Sequence, residues 1–470
     1  MKITRQLLFK TLFTVITLSG MTMSSVYADD SGADNSLANT LPNIVVFYSD
    51  DHSASDMGAY GNKEVNTPVM DQLALEGMRF TNVFSSVSVC APSRTSMYTG
   101  LYPQKNGMHK NHSQARADVK SMPHYLSALG YEVVLAGKVH VKPEIAFPFK
   151  YIKRHEIPNY LKIVGDKPFA LIIAYNMPHS PFVPIKKGYS PDKVTLKPSL
   201  PNVPMAKRMT AAYYDLITNL DHEIGSHQFW LQKYGLLHDM LQIYVSDHGY
   251  GFPNSKWSLY DEGLKVPMIV KWPGKVKAGT VNDGLISLVD FLPTLVEVAG
   301  GSPHPSLDGQ SFLPLLVEQK ATGQETELNE HIFATYTNLG VKGANRYPMR
   351  AVRTKKFKLI VNLAHQNKYL IEALTNKDER EGIHPHHVLA EWHELAKVDA
   401  SAKVALERIY HRPYIELYNI ESDPFEKNNV ADKPENQAEI KRLYGLLSNW
   451  MIAQKDVELS ALKKGYAAEL

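Results

Sequence analysis

The chain has 470 residues, with 51 Lys and Arg against 48 Asp and Glu and a formal net charge of +3. Lys2, Arg5 and Lys10 lie within the first 28 residues, which hold no acid. The remainder is therefore electrically balanced and offers no footing for nucleic acid or an anionic membrane surface. Its length suffices for one large domain and a smaller one, and its one cysteine, Cys90, excludes an internal disulfide.

The basic start, the apolar and small-residue run from Thr11 to Met23, and the Val26-Tyr27-Ala28 cleavage pattern read as a signal peptide over 1–28. That run is too short and too broken by Thr and Ser to span a membrane. No cysteine follows it to carry a lipid. The expectation is a periplasmic or secreted protein without a membrane partner. Exported proteins spend cysteines on disulfides, so a lone Cys90 in an oxidising compartment calls for another use of that position.

Asn43 to Tyr48 is a continuous apolar, β-branched run and predicts a buried parallel strand. It ends in Ser49-Asp50-Asp51. Ligand sites of open α/β sheets lie beyond the carboxyl ends of strands, where two carboxylates suit a hard divalent cation; they equally suit a cap or turn. A helix is expected from Val69 to Gly77. Phe80 to Val87 leads into Cys90-Ala91-Pro92-Ser93-Arg94, with a helix beginning around Ser93 to Met97. Cys90 would then stand at a helix N-terminus, where backbone N–H groups favour an anion. Arg94 would offer a planar donor fork nearby. The plain alternative for Cys90 is a small buried hydrophobe.

Met122 to Leu129 predicts an amphipathic helix, and Tyr131 to Ala136 the next strand, ending in Gly137-Lys138-Val139-His140. Two residues apart on an extended segment, Lys138 and His140 face the same side. They pair a cation with an imidazole, or are a solvated lysine and a structural histidine. Pro168 to Tyr175 is a third strand, followed by Asn176-Met177-Pro178-His179-Ser180-Pro181-Phe182. Ala211 to Gly225 predicts a structural helix. Met240 to Val245 is a fourth strand, followed by Ser246-Asp247-His248-Gly249. Ser255 to Gly263 carries Lys256, and Lys265 to Gly274 returns as a strand. After Leu316 the composition changes. Glu318 to Glu330 reads as a connecting loop, and Met349 to Leu363 as two short strands turning at Lys355-Lys356. Glu416 to Ile420 reads as a strand and Ala438 to Gln454 as an amphipathic helix.

Five of these stretches stand together: Cys90-x-Pro92-Ser93-Arg94 with Thr99-Gly100, Gly137-Lys138-x-His140, His179-x-Pro181-Phe182, Asp247-His248-Gly249, and the block holding Lys256. In this order, over about Pro42 to Leu316, they resemble the type I, formylglycine-dependent sulfatases of the alkaline-phosphatase-like superfamily. The resemblance implies an α/β sandwich around a mostly parallel sheet over 29–335, and a smaller C-terminal α+β domain with an antiparallel sheet over 336–470. It implies that a formylglycine-generating maturation enzyme oxidises Cys90 to 3-oxoalanine, whose hydrate attacks the sulfur of a sulfate ester. Arg94, Lys138, His140 and Lys256 would hold sulfate and the diol, and His179 or Lys256 would protonate the leaving alcohol. Asp50, Asp51, Asp247, His248 and the residue at 90 would hold one divalent cation, Ca²⁺ or Mg²⁺. His248 stands where the family most often has Asn, and an imidazole nitrogen is a softer donor than an amide oxygen.

The substrate so implied is a sulfated carbohydrate: an algal polysaccharide such as ulvan or galactan, or a glycosaminoglycan. Gly137 to Phe149 also resembles heparan N-sulfatase, which leaves a sulfamidase open, and a phosphonate or phosphate ester hydrolase could use the same scaffold. A sugar-binding protein with a decayed site is disfavoured by the intact Cys90, Arg94, Lys138, His140, His179 and Lys256. Choice of sugar would fall to groups at the pocket mouth: His109, His112, Arg346, and His384, His386 and His387, the last three expected on a surface loop. The segment Val141 to Pro178 is short for the family, so the pocket is expected to be open on that side.

Overall fold

The apolar run from Asn43 to Tyr48 is unbroken because both of its faces are covered. In the computed structural model, which describes residues 41–469 apart from 184, 186, 187, 253, 318–327, 342 and 372–380, β1 (Asn43–Ser49) is a central strand of a nine-stranded sheet. Ile44, Val46 and Tyr48 enter one core and Val45 and Phe47 the other, as the two-residue period of a strand requires. The predicted signal peptide and most of the loop predicted over Glu318 to Glu330 lie outside the described residues.

The other strands of this sheet are β2 (Met78–Phe84), β3 (Glu132–Gly137), β4 (Lys150–Ile152), β5 (Phe169–Ala174), β6 (Met240–Ser246), β7 (Lys265–Lys271), β8 (Thr280–Asn282) and β9 (Ile286–Ser287). The order is β4-β3-β5-β1-β6-β7-β2-β8, with β9 also on β2. β1 lies parallel between β5 and β6, Val46 opposite Ile172 on one side and Ile243 on the other. β7 runs antiparallel to both β6 and β2. One face is covered by α1 (Cys90–Thr99), through Met97 and Tyr98. α2 (Pro204–Lys233) covers the other, through Met209, Ile217, Leu220 and Ile224. α3 (Phe291–Val298) completes the first face with Phe291, Leu292 and Leu295. Each such fully buried side chain contributes about 1.5–3 kcal/mol of transfer free energy.

A second, antiparallel sheet follows in the order β10 (Ile332–Tyr336), β11 (Met349–Arg353), β12 (Phe357–Asn362), β13 (Ile415–Asn419). It too is buried on both faces. Ile360 and Tyr418 pack on Phe84, Val87, Val89 and Leu259 of the first body. Leu359, Val361 and Leu417 pack instead on Ile440, Leu443 and Leu447 of a C-terminal helix (Gln437–Ala453).

Three elements differ from the sequence reading. α1 begins at Cys90 itself rather than near Ser93. α2 runs for 30 residues, well beyond Ala211 to Gly225, because Ala206 and Met209 at its start and Leu231 at its end also reach the core. The three histidines expected on a loop sit at the start of a helix (Pro385–Leu395), whose Pro385 supplies a favourable first helical residue, and His384 is 3% exposed. Among the described residues no helix is long and apolar enough to cross a membrane.

Candidate active site

β1, β3, β5 and β6 are parallel neighbours, so their carboxyl ends open on one edge of the sheet. Asp50 and Asp51 follow β1, Lys138 follows β3, His179 stands beyond β5, and Asp247 and His248 follow β6. Facing them, α1 begins with Cys90, 2% exposed.

Cys90 Sγ is 3.2 Å from His248 Nε2, 3.5 Å from Lys256 Nζ and 3.9 Å from Asp51 Oδ1. Burial pushes the thiol pKa up, but Lys138, Lys256 and His248 outweigh it and hold it well below its ordinary value. Lys256 Nζ donates to both Asp51 carboxylate oxygens at 2.8 Å. Burial would lower its pKa; Asp51 and Cys90 raise it instead. Lys138 Nζ is ion-paired with Asp50 Oδ2.

Arg94 lies behind the acids, fully buried. Its Nε donates to Asp247 Oδ2 at 3.0 Å, its Nη2 reaches Ser49 O at 3.2 Å and Asp50 Oδ1 at 3.4 Å, and its guanidinium lies 4.4 Å from the centre of the Tyr48 ring. Nε and Nη2 of the fork thus brace two carboxylates, and Nη1, also buried, has no hydrogen-bond partner among the described residues.

His248, where the sequence departs from the family pattern, points into the cluster. Its Nδ1 lies 2.9 Å from the Gly249 carbonyl oxygen. A carbonyl only accepts, so Nδ1 carries the proton and Nε2 is left facing Cys90 Sγ, with Asp51 Oδ1 at 3.4 Å and Asp247 Oδ1 at 3.7 Å. Burial presses the imidazole towards neutrality, but Asp247, Cys90 and Asp51 raise its pKa to about 9. Burial likewise lifts the Asp247 carboxyl, to about 7. Gly249 is required where it stands: a Cβ there would meet Glu262 O at 1.8 Å.

His179 donates Nδ1–H to Ser180 O at 2.5 Å, which turns Nε2 towards Asp51 Oδ2, 4.0 Å away. Burial and Lys256 lower its pKa, yet Asp51 and Asp50 leave it raised overall. His140 Nε2 lies 3.0 Å from His112 Nδ1, so one of these two nitrogens donates and the other accepts. Asp51, His140 and Trp257 have φ of 67°, 49° and 70°, a region that costs non-glycine residues of order 1–3 kcal/mol. Around Asp51 the conformation is held by its N–H on Asp247 Oδ1 at 3.1 Å and by the Tyr213 hydroxyl on its carbonyl at 2.9 Å.

Two sequence candidates for the pocket mouth lie near Glu458. Arg346 is ion-paired with Glu458, and His109 feels Arg350, Asp456 and Glu458, with burial lowering its pKa. No period or spacing in the sequence marks the His112–His140 pair, which needs the left-handed turns at both residues (φ 57° and 49°).

Residues 42–145 and 154–302 match the family described as Sulfatase, and 247–400 match the C-terminal region of N-sulphoglucosamine sulphohydrolase. An ulvan-active sulfatase of Formosa agariphila is 34% identical over 433 residues, covering 88% of this chain and 81% of that one. The chain belongs to the sulfatase family. It is a sulfuric ester hydrolase. The human N-sulphoglucosamine sulphohydrolase is 28% identical to this sulfatase over 470 residues, covering 87% and 89% of the two chains. The solved structure of another protein, in complex with that protein's substrate D-glucosamine-2-N,6-O-disulfate, superposes with a TM-score of 0.67 at 20% identity, over 89% of this chain and 99% of the other, and bears out the alkaline-phosphatase-like architecture.

Among the described residues of this sulfatase two overlapping groups could hold a metal ion: Asp50, Cys90, Asp247 and His248, and Asp50, Asp51, Cys90 and His179. Within each, the ligand atoms lie within 4.8 Å of one another. Oxygens so spaced can converge on one ion at the ~2.3–2.6 Å of a calcium–oxygen bond. Each group offers two carboxylates and one imidazole nitrogen beside the atom at position 90, a donor set that fits a divalent cation.

Proposed function

We infer that this sulfatase hydrolyses a sulfate ester of a sulfated polysaccharide or oligosaccharide, with position 90 as the nucleophile. The observation that carries the reading is the buried Cys90 at the first residue of α1, within 3.5 Å of both His248 Nε2 and Lys256 Nζ. A thiol kept only for packing has no need of an imidazole nitrogen and an ammonium group beside it. Formylglycine made from Cys90 would supply a hydrated aldehyde, one hydroxyl of which attacks sulfur. A divalent ion held by Asp50, Asp51, Asp247 and His248 would supply Lewis-acid neutralisation of the sulfate oxygens.

The remaining work falls to side chains. Lys138 and Lys256 flank the site and hold sulfate as negative charge develops. His179, its Nε2 turned to the cluster and its pKa raised, gives its proton to the departing alcohol. The buried His140 Nδ1, without a hydrogen-bond partner, accepts a proton from the hydroxyl left at position 90, and His112 orients its ring through Nε2. Export to the periplasm or medium, a maturation enzyme as partner, and a C-terminal domain over 336–470 belong to the same reading.

Kinship with an ulvan-active sulfatase supports an algal polysaccharide. The match of 247–400 to N-sulphoglucosamine sulphohydrolase supports a second reading, cleavage of an N-sulfate. The matured enzyme is assayed on ulvan oligosaccharides, N-sulfated glucosamine, and aryl sulfate and aryl phosphate. Release from O-sulfated saccharides is expected. Release from the N-sulfate alone would replace the first reading with the second, and turnover of the phosphate alone would remove both.

A further inference from the structure

Beside Lys138 a cleft of about 660 Å³ opens beyond the ends of β3, β4 and β5. Lys138, Lys153, Arg154, Asn176 and Glu223 are among the residues around it. It adjoins the sulfate site directly. Lys138 pairs with Asp50, and Asn176 precedes Met177, whose carbonyl accepts the Asp50 N–H at 3.1 Å. The volume lies in the range that holds small-molecule ligands. We propose that this cleft binds an anionic sugar residue next to the one bearing the scissile sulfate, and that Arg154 is its anchor. The proposal rests on the saccharide reading above and names the part of the substrate that the sulfate pocket cannot choose.

The charge around the cleft is cationic: Lys138, Lys153 and Arg154 face Glu223. Lys138 serves the sulfate site, so an anion entering the cleft meets Lys153, which is exposed, and Arg154. The Arg154 guanidinium is fixed from behind. It lies 5.4 Å from the centre of the Tyr175 ring, its Nη1 reaches Ala174 O at 3.5 Å, and its Nε is 3.5 Å from Glu223 Oε2. None of these contacts uses Nη2. The Arg154–Glu223 pair is partly exposed, at 29% and 39%, so an entering anion can compete for the guanidinium. Gly137 makes room for this placement: a Cβ there would meet Ala174 O at 2.3 Å and Arg154 Cγ at 3.0 Å. A positioned guanidinium matches the two oxygens of a carboxylate or of a second sulfate better than an ammonium does.

The test uses the full, matured enzyme and three sulfated disaccharides. In the first the neighbouring sugar is a uronate, in the second that carboxyl is reduced to the alcohol, and in the third the neutral neighbour carries a second sulfate. The readout is the ratio of kcat/KM for each anionic substrate to that for the reduced one. Wild type is expected to favour an anionic neighbour, and whether the first or third gains more tells carboxylate from sulfate. Arg154→Met should lower that ratio about ten-fold or more, through KM, as loss of a charge-assisted contact does. Glu223→Gln should hold or raise it, because a competitor for Arg154 is removed; if the pair were merely structural, both variants would act alike. If Arg154→Met does not fold, Arg154→Lys keeps the charge and loses the fork, and its ratio should still fall several-fold. A wild-type ratio of one, or one untouched by substitution of Arg154, overturns the subsite alone. A folded, matured enzyme inactive on every sulfated saccharide overturns the saccharide reading instead.

Discussion

Replacing Arg94 by Met tests whether the carboxylates of the site depend on a buried cation. Methionine is of similar length and keeps the packing against Tyr48, so the loss is one of charge. It removes the 3.0 Å bond to Asp247 Oδ2, the 3.4 Å contact to Asp50 Oδ1 and the 3.2 Å bond to Ser49 O. Breaking a buried ion pair from one side costs about 3–5 kcal/mol. Asp50 keeps Lys138, so the burden falls on Asp247 and the lower part of that range applies. The compact unit that holds the site spans Leu41–Leu470. At about 2 cal/mol/K of unfolding entropy per residue, 3 kcal/mol becomes a fall in Tm of about 3–4 °C. Calorimetry in chelator measures it. Added Ca²⁺ should return part of the loss, because a divalent ion compensates the same two carboxylates. A variant melting within a degree of wild type in chelator would refute the view that Arg94 holds these acids together.

Cys90→Ala should abolish turnover while leaving the melting curve nearly unchanged; substantial residual activity would rule out position 90 as nucleophile. Chelation should abolish hydrolysis of every substrate and Ca²⁺ or Mg²⁺ restore it; Asp50→Asn should mimic the chelator. Lys358, fully buried, pairs at 2.6 Å with both Asp261 and Glu426, so Lys358→Met should cost about 3–5 kcal/mol, with Glu426→Gln in the same chain recovering part of it. His227, 8% exposed and 3.0 Å from the Tyr175 hydroxyl, has its pKa lowered by burial from 6.5 to about 4. Between these values the unfolded chain binds the extra proton, so stability is full above pH 6.5 and is lost as pH falls towards 4, by up to about 3 kcal/mol. His227→Gln should flatten the melting temperature over that window, and an unaltered acid slope would assign the effect to other groups.

The strand runs and their terminal residues were legible because a buried parallel strand must be apolar throughout and its exit is the first place a polar ligand can stand. That is how Asp50, Lys138, His179 and Asp247 came together from segments far apart in the chain. What was not legible depends on backbone conformation or on partners. Nothing in Arg94-Thr95 says that the guanidinium reaches Asp247 and Asp50. Arg346 reads as a free loop cation until Glu458, 112 residues on, closes on it. His112 meets His140 through left-handed turns at residues whose type does not ask for them. Arg154 belongs to no motif; it is placed by a glycine one strand away.

The site's charges explain why two lysines and one arginine are used differently. Each acid has its own cation: Asp50 has Lys138, Asp51 has Lys256 and Asp247 has Arg94. The three pairs cancel one another, so a divalent ion among the carboxylates would add positive charge that an incoming sulfate can answer. The three cations are not equally free to answer that change. Arg94 is wholly enclosed and bound to two acids and a carbonyl oxygen. Lys138 and Lys256 are 16% and 5% exposed and hold by single flexible ammonium groups. Once an ion shares their carboxylates, the lysines can turn to sulfate by rotation of a side chain, whereas Arg94 cannot without unpacking Tyr48. The rigid guanidinium therefore fixes the acids, the lysines follow the substrate, and replacing either lysine should raise KM more than it lowers Tm, the reverse of what Arg94→Met is expected to do.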